Sequence, residues 1–146
     1  MEEQQQIPET EVKNKRSTLL TILCILTFIG SGLNAFSGIF VFVFYDFSMK
    51  VFAEVIKSFK MTGMDAFLAA SPAYFGVTAL INGIAVAGAV LMWQLRKTGF
   101  HLYTVSQILV ILSPMIFFRL PSPDFYNLVF SAIFVLLYSS NLKYMS

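Results

Sequence analysis

Four runs without a charged residue, 17–45, 66–95, 98–118 and 125–142, take up most of this 146-residue chain. Each is long enough to cross a bilayer, which needs roughly 20 apolar residues. In hydrocarbon every backbone N–H and C=O must be satisfied within the segment, so runs of this kind are read as helices. The pattern therefore predicts an all-α integral membrane four-helix bundle, with spans at about 18–44, 72–95, 99–118 and 125–142. Composition agrees: 57% of residues are hydrophobic and 12% charged, against about 25% charged in a soluble domain. Little length remains for a soluble domain. A net charge of +2 gives no reason to expect nucleic acid as a partner.

Residues 1–16 are rich in Gln and Glu and read as a disordered polar tail. Lys13, Lys15 and Arg16 ahead of an apolar run have the outline of a signal peptide. The run continues through 39–45, well past a signal core, so a retained first span is expected. Residues 46–70 form an amphipathic segment between spans one and two. Val51, Phe52, Val55, Ile56 and Phe59 recur at helical spacing, with Asp46, Lys50, Glu54, Lys57 and Lys60 between them. The simplest role for this helix is a cap over the spans; a docking surface is the alternative. Ser71 and Pro72 form an N-cap and first turn for span two. The short turn Arg96-Lys97-Thr98-Gly99 makes spans two and three an antiparallel hairpin.

Orientation follows from Lys and Arg in the flanks. Six fall on the N-terminal side (Lys13, Lys15, Arg16, Arg96, Lys97, Lys143) and four opposite (Lys50, Lys57, Lys60, Arg119). Both termini are expected to be cytoplasmic, in a cell inner (plasma) membrane. Tyr45, Tyr74 and Tyr126 are expected in an outer aromatic belt. Trp93, Tyr103, Tyr138 and Tyr144 are expected in an inner one.

Two features could hold the spans together. Gly30, Asn34 and Gly38 in span one, and Ala79, Gly83 and Ala87 in span two, form small-xxx-small faces that let backbones approach closely. Asn34, Asn82 and Gln107 carry amides into the spans, with Tyr103 near Gln107 on one side of span three. An unsatisfied amide in hydrocarbon costs several kcal/mol. These groups should therefore bond to one another, to backbone, or to something they enclose.

Catalytic chemistry finds little support. The single cysteine, Cys24, excludes an internal disulfide and a Cys-x-x-Cys pair. His101 lies at the inner interface beside Arg96 and Lys97, with no acid to orient it as a base. No cluster suits a metal and no motif suits a nucleotide, so no cofactor is expected. Intramembrane charges, the mark of proton relays and ion paths, are absent from the spans.

The run 19–32 (Leu-Leu-Thr-Ile-Leu-Cys-Ile-Leu-Thr-Phe-Ile-Gly-Ser-Gly) resembles small four-span membrane proteins of unknown function of the Bacteroidota type. Gly99-Phe100-His101-Leu102-Tyr103 and Gln107 are similar to that group's third span. The resemblance implies a bacterial inner membrane and no established activity. The chain lacks the first-span glutamate of small multidrug exporters and the outer-loop cysteines of tetraspanins and claudins. Two functions remain. The first is a non-catalytic accessory or interaction subunit, acting as a homo-oligomer or within a larger membrane complex. The second is a small transporter or channel for a neutral or lipidic solute. They differ in whether the amides pack against each other or line a void; a membrane enzyme acting on lipid at the cytoplasmic face through His101 would instead need Arg96, Lys97 and His101 to converge on a pocket.

Overall fold

The computed structural model describes residues 16–62, 64–119 and 122–146; the polar stretch 1–15 lies outside them. Four helices are long and apolar enough to cross a membrane: α1 (Thr18–Val43), α4 (Pro72–Trp93), α5 (Lys97–Phe118) and α6 (Phe125–Ser139), the last prolonged by a 3-10 turn at Leu142–Tyr144. The chain is an all-α membrane bundle. Two shorter helices, α2 (Tyr45–Ser58) and α3 (Asp65–Leu68), fill the long connection.

The ends form as local chemistry dictates. Ser17 caps α1, its hydroxyl accepting from Leu20 N–H. Pro72 sits in the first turn of α4, and Asp124 caps α6 by accepting from Tyr126 N–H. Pro114 lies inside α5 and cannot donate to the Val110 carbonyl. Ser113 Oγ donates to that carbonyl instead, at 3.2 Å.

The starts of α1 and α5 and the ends of α4 and α6 meet at one end, the terminal end. There Ser17 Oγ donates to Asn141 Oδ1, and the Arg16 guanidinium lies 4.2 Å above the Trp93 ring. Backbone bonds tie Ser146 to Leu95 and Lys97 in the α4–α5 turn. The core nearby is Leu20, Leu23, Cys24, Ala85, Ala89, Met92, Tyr103 and Tyr138, all buried.

Close packing follows α4, which lies along α1 on one side and α5 on the other. Of the six small-face residues expected to pack, Gly38 and Ala79 do so. A Cβ at Gly38 would sit 3.0 Å from the Ala79 Cβ. Gly30, Gly83 and Ala87 are exposed instead, and a Cβ at Gly30 or Gly83 would meet nothing within 4 Å. Gly83 and Ala87 face away from α5 because the tightest approach is made by Gly88 against Gly99. A Cβ on Gly99 would lie 2.5 Å from the Gly88 oxygen.

α2 turns only part of its apolar series inward. A single non-helical residue, Phe44 (φ −110, ψ 45), joins it to α1. Its inward face is Tyr45, Ser48, Met49 and Phe52, and Phe52 meets Phe67 edge-on at 5.4 Å. Val51, Val55 and Phe59 of that series point outward with Phe47. Together with Phe40 and Phe44 these side chains continue an apolar stripe down from α1.

Candidate functional site

The helices are not evenly packed. α6 approaches α1 and α5 far less closely than α4 does. Towards the terminal end Thr27 Oγ1 and Tyr138 OH share a hydrogen bond of 2.8 Å, and the Tyr103 and Tyr138 rings meet at 4.8 Å. Both tyrosines are buried inside the bundle, so neither belongs to the aromatic belt expected at that end. Further out Ser131 Oγ donates to Gln107 Oε1 at 2.8 Å. Beyond this bond residues 125–130 of α6 are all exposed. The outer half of α6 stands away from α1 and leaves a wedge-shaped cleft.

That cleft, about 220 Å³, is lined by one carboxamide from each spanning helix: Asn34 of α1, Asn82 of α4, Gln107 of α5 and Asn127 of α6. Thr27, Gly30, Ser31, Tyr103 and Ser131 complete its polar wall. A second space of about 340 Å³ shares Asn34, Asn82, Val110 and Asn127 with it. It extends outward past Ser37, Thr78 and Ser113 to Phe52 and Phe67. Counted at about 1.5 Å per residue from the terminal end, Gln107, Asn82 and Asn127 lie about 15–18 Å in and Asn34 about 24 Å. Asn34, Asn82 and Gln107 lie within the middle part of their helices, and Asn127 reaches a similar depth from the first turn of the shorter α6.

A carboxamide offers two donors and two acceptor positions, and the bonds made within the chain use few of them. Asn82 Nδ2 donates to the Thr78 carbonyl at 2.8 Å, and Asn127 Nδ2 to Asp124 Oδ2 at 3.0 Å. Gln107 accepts from Ser131. Asn34 is exposed in the cleft, and it is its main-chain carbonyl, not its carboxamide, that accepts from Ser37 Oγ. The amides therefore do not close on one another. They present donors and acceptors to a shared space without a charged side chain in its lining.

No family model matches the chain, and no curated protein or solved structure matches it. The site rests on its own geometry.

The structure brings Asn34, Asn82, Tyr103 and Gln107 together as lining of one cleft. Asn127 was missed in the sequence. Three residues past a capping aspartate it reads as part of a turn, and only its place on a helix that stands off the bundle turns it towards Asn34. Asn141, also in the fourth span, ties the terminal end through Ser17 and the Leu137 carbonyl. His101 is exposed beside Phe100 at that end, away from the cleft. Cys24 is buried, its thiol 3.6 Å from the Ala89 carbonyl.

The opposite flank of α1 and α4 carries a different feature. An apolar groove of about 760 Å³ runs between Ala35, Ile39 and Phe42 on α1 and Gly76, Gly83 and Ala87 on α4.

Proposed function

We propose that the chain is a non-catalytic multi-pass protein of a bacterial inner membrane, both termini cytoplasmic, that holds an uncharged, hydrogen-bonding solute in the cleft between α1 and α6. The observation that carries this reading is the convergence of four carboxamides, one from each helix, on a single open space. Polar groups in a bilayer are retained at a cost and normally find partners. Here the partner is the solute. A lining without charge suits a neutral guest, since an ion would leave its own charge unpaired. The cytoplasmic assignment rests on Arg16, Arg96, Lys97 and Lys143 at the terminal end.

Thermal unfolding of the purified protein in detergent tests this. Acetamide and small polyols should stabilise it, acetate should not, and Asn34→Leu should remove the effect. Stabilisation that survives Asn34→Leu would count against the cleft.

The groove on α1 and α4 favours a second reading, an accessory subunit. Gly83 and Ala87 would let a helix of a second copy or of a larger complex approach the α4 backbone. Gly83→Leu would then dissociate the assembly in gentle detergent; an unchanged size would set this reading aside.

A further inference from the structure

The cleft is closed along the membrane normal and open sideways. At the terminal end the buried Tyr138, Tyr103 and Thr27 seal it with a hydrogen bond and a ring contact. At the outer end α2 and α3 roof it: Phe52 meets Phe67, and Phe67 meets Phe75, each edge-on at 5.4 Å. The Tyr45 hydroxyl fastens the roof by donating to the Ala70 carbonyl. Between these closures the wall is missing where α6 stands away from α1. Gly30 and Asn34 are exposed on one lip and Asn127 and Phe130 on the other. A guest reaches the carboxamides most directly from the acyl chains.

We propose that the guest is an uncharged lipid, whose hydroxyl- or amide-bearing headgroup enters sideways between α1 and α6 while its tails remain in the bilayer. This rests on the neutral-guest reading above and narrows it. Three observations fix the class. The lining carries no charge, so a phosphate would leave water with nothing to pair it. The carboxamides both donate and accept, as hydroxyls and amides require of a partner. The polar part measures about 220 Å³, the share of roughly seven waters at about 30 Å³ each. That suits a small headgroup and excludes a partner helix, which is about 10–12 Å across. Apolar Leu26, Phe130 and Phe134 line the same cleft, and suit the first carbons of a chain.

The experiment uses the full chain in detergent micelles doped with equal amounts of dioleoylglycerol and dioleoylphosphatidylglycerol, with retained lipid read by native mass spectrometry. The two share their tails, so contact through tails alone retains both equally. Two or three headgroup hydrogen bonds at about 1 kcal/mol each correspond to at least about tenfold preference for dioleoylglycerol. Asn34→Leu should abolish the preference. Gly30→Leu, at a position whose Cβ meets nothing within 4 Å, should block the cleft without touching the core. Gly83→Leu, on the opposite groove, should leave the preference intact. Equal retention of both lipids, or a preference unchanged in both Asn34→Leu and Gly30→Leu, overturns the proposal. If acetamide still stabilises through Asn34 while retention is equal, only the lipid falls. If both effects are missing, the neutral-guest reading falls with it.

Discussion

Replacing Gly99 with alanine would put a methyl group 2.5 Å from the Gly88 oxygen and 2.6 Å from the Met92 nitrogen. Both are backbone atoms of α4, so no rotamer change relieves the clash. Carbon needs about 3.5 Å or more from its neighbours, and α4 and α5 would have to part by about 1 Å. Two effects then compete. Alanine is favoured over glycine within a helix by about 1 kcal/mol. Overpacking costs about 1–3 kcal/mol, sometimes more, and parting the helices also loosens the contact of Gly88 with Tyr103. In lipid no hydrophobic force draws the helices back, so overpacking should win and Gly99→Ala should destabilise by about 1–2 kcal/mol. The other glycines supply a graded series. At Gly88 the nearest atom to an added Cβ is at 2.8 Å and at Gly38 it is at 3.0 Å, while at Gly30 and Gly83 none lies within 4 Å. Alanine should be most costly at Gly99, less so at Gly88, smaller again at Gly38, and neutral or mildly stabilising at Gly30 and Gly83. Unfolding in mixed micelles of dodecyl sulfate, followed by circular dichroism, gives the order. A loss at Gly83→Ala equal to that at Gly99→Ala would refute the packing described here.

Further outcomes follow from the same geometry. Tyr138→Phe removes the 2.8 Å bond to Thr27 and should cost about 0.6 kcal/mol, at most about 1.7, in the same unfolding assay. Asn141→Ala releases Ser17 and should free the terminal end, seen as faster amide exchange in the first turn of α1. Lysine at the centre of a lipid-facing helix costs about 2.5–3.5 kcal/mol in insertion. Leu33→Lys, at a side chain 64% exposed on α1, should carry that cost in a membrane-insertion assay. Asn34→Lys, where carboxamide oxygens can accept from the ammonium, should carry less; equal penalties would mean that the cleft offers no more hydrogen bonding than lipid.

The spans were legible because a membrane imposes length and apolarity directly on sequence. Their edges at Pro72, Phe118 and Phe125 follow from a helix-starting proline and from flanking polar residues. Which face each helix turns inward was much less legible. In water an apolar side chain points to the core, whereas in a bilayer Val51 and Val55 are equally at home facing lipid. The inward face of α2 is set by the bend at Phe44 rather than by periodicity. Spacing alone could not tell Gly38, pressed on Ala79, from Gly30 on the same helix face, which borders the cleft. It also passed over Gly88 and Gly99, whose contact depends on how the α4–α5 turn aligns two helices. The amides Asn34, Asn82 and Gln107 were visible as polar groups in need of partners. That they line a common space, and that Asn127 joins them, depends on the splay of α6. That splay is set by where hydrogen bonds end, at Thr27–Tyr138 and Gln107–Ser131, and no single residue announces it.

The open polar cleft between α1 and α6 is tested most directly by thiol chemistry. Gly30→Cys places a sulfhydryl on the cleft wall, and Leu33→Cys places one on the lipid face of the same helix less than one turn away. Cys24, fully buried, supplies little background. In frozen proteoliposomes a nitroxide attached through the thiol of Gly30→Cys should report a more polar, hydrogen-bonding surrounding, as a larger hyperfine splitting, than one attached to Leu33→Cys, because the carboxamides of the cleft lie beside it. Equal splittings at the two positions would contradict an open polar cleft.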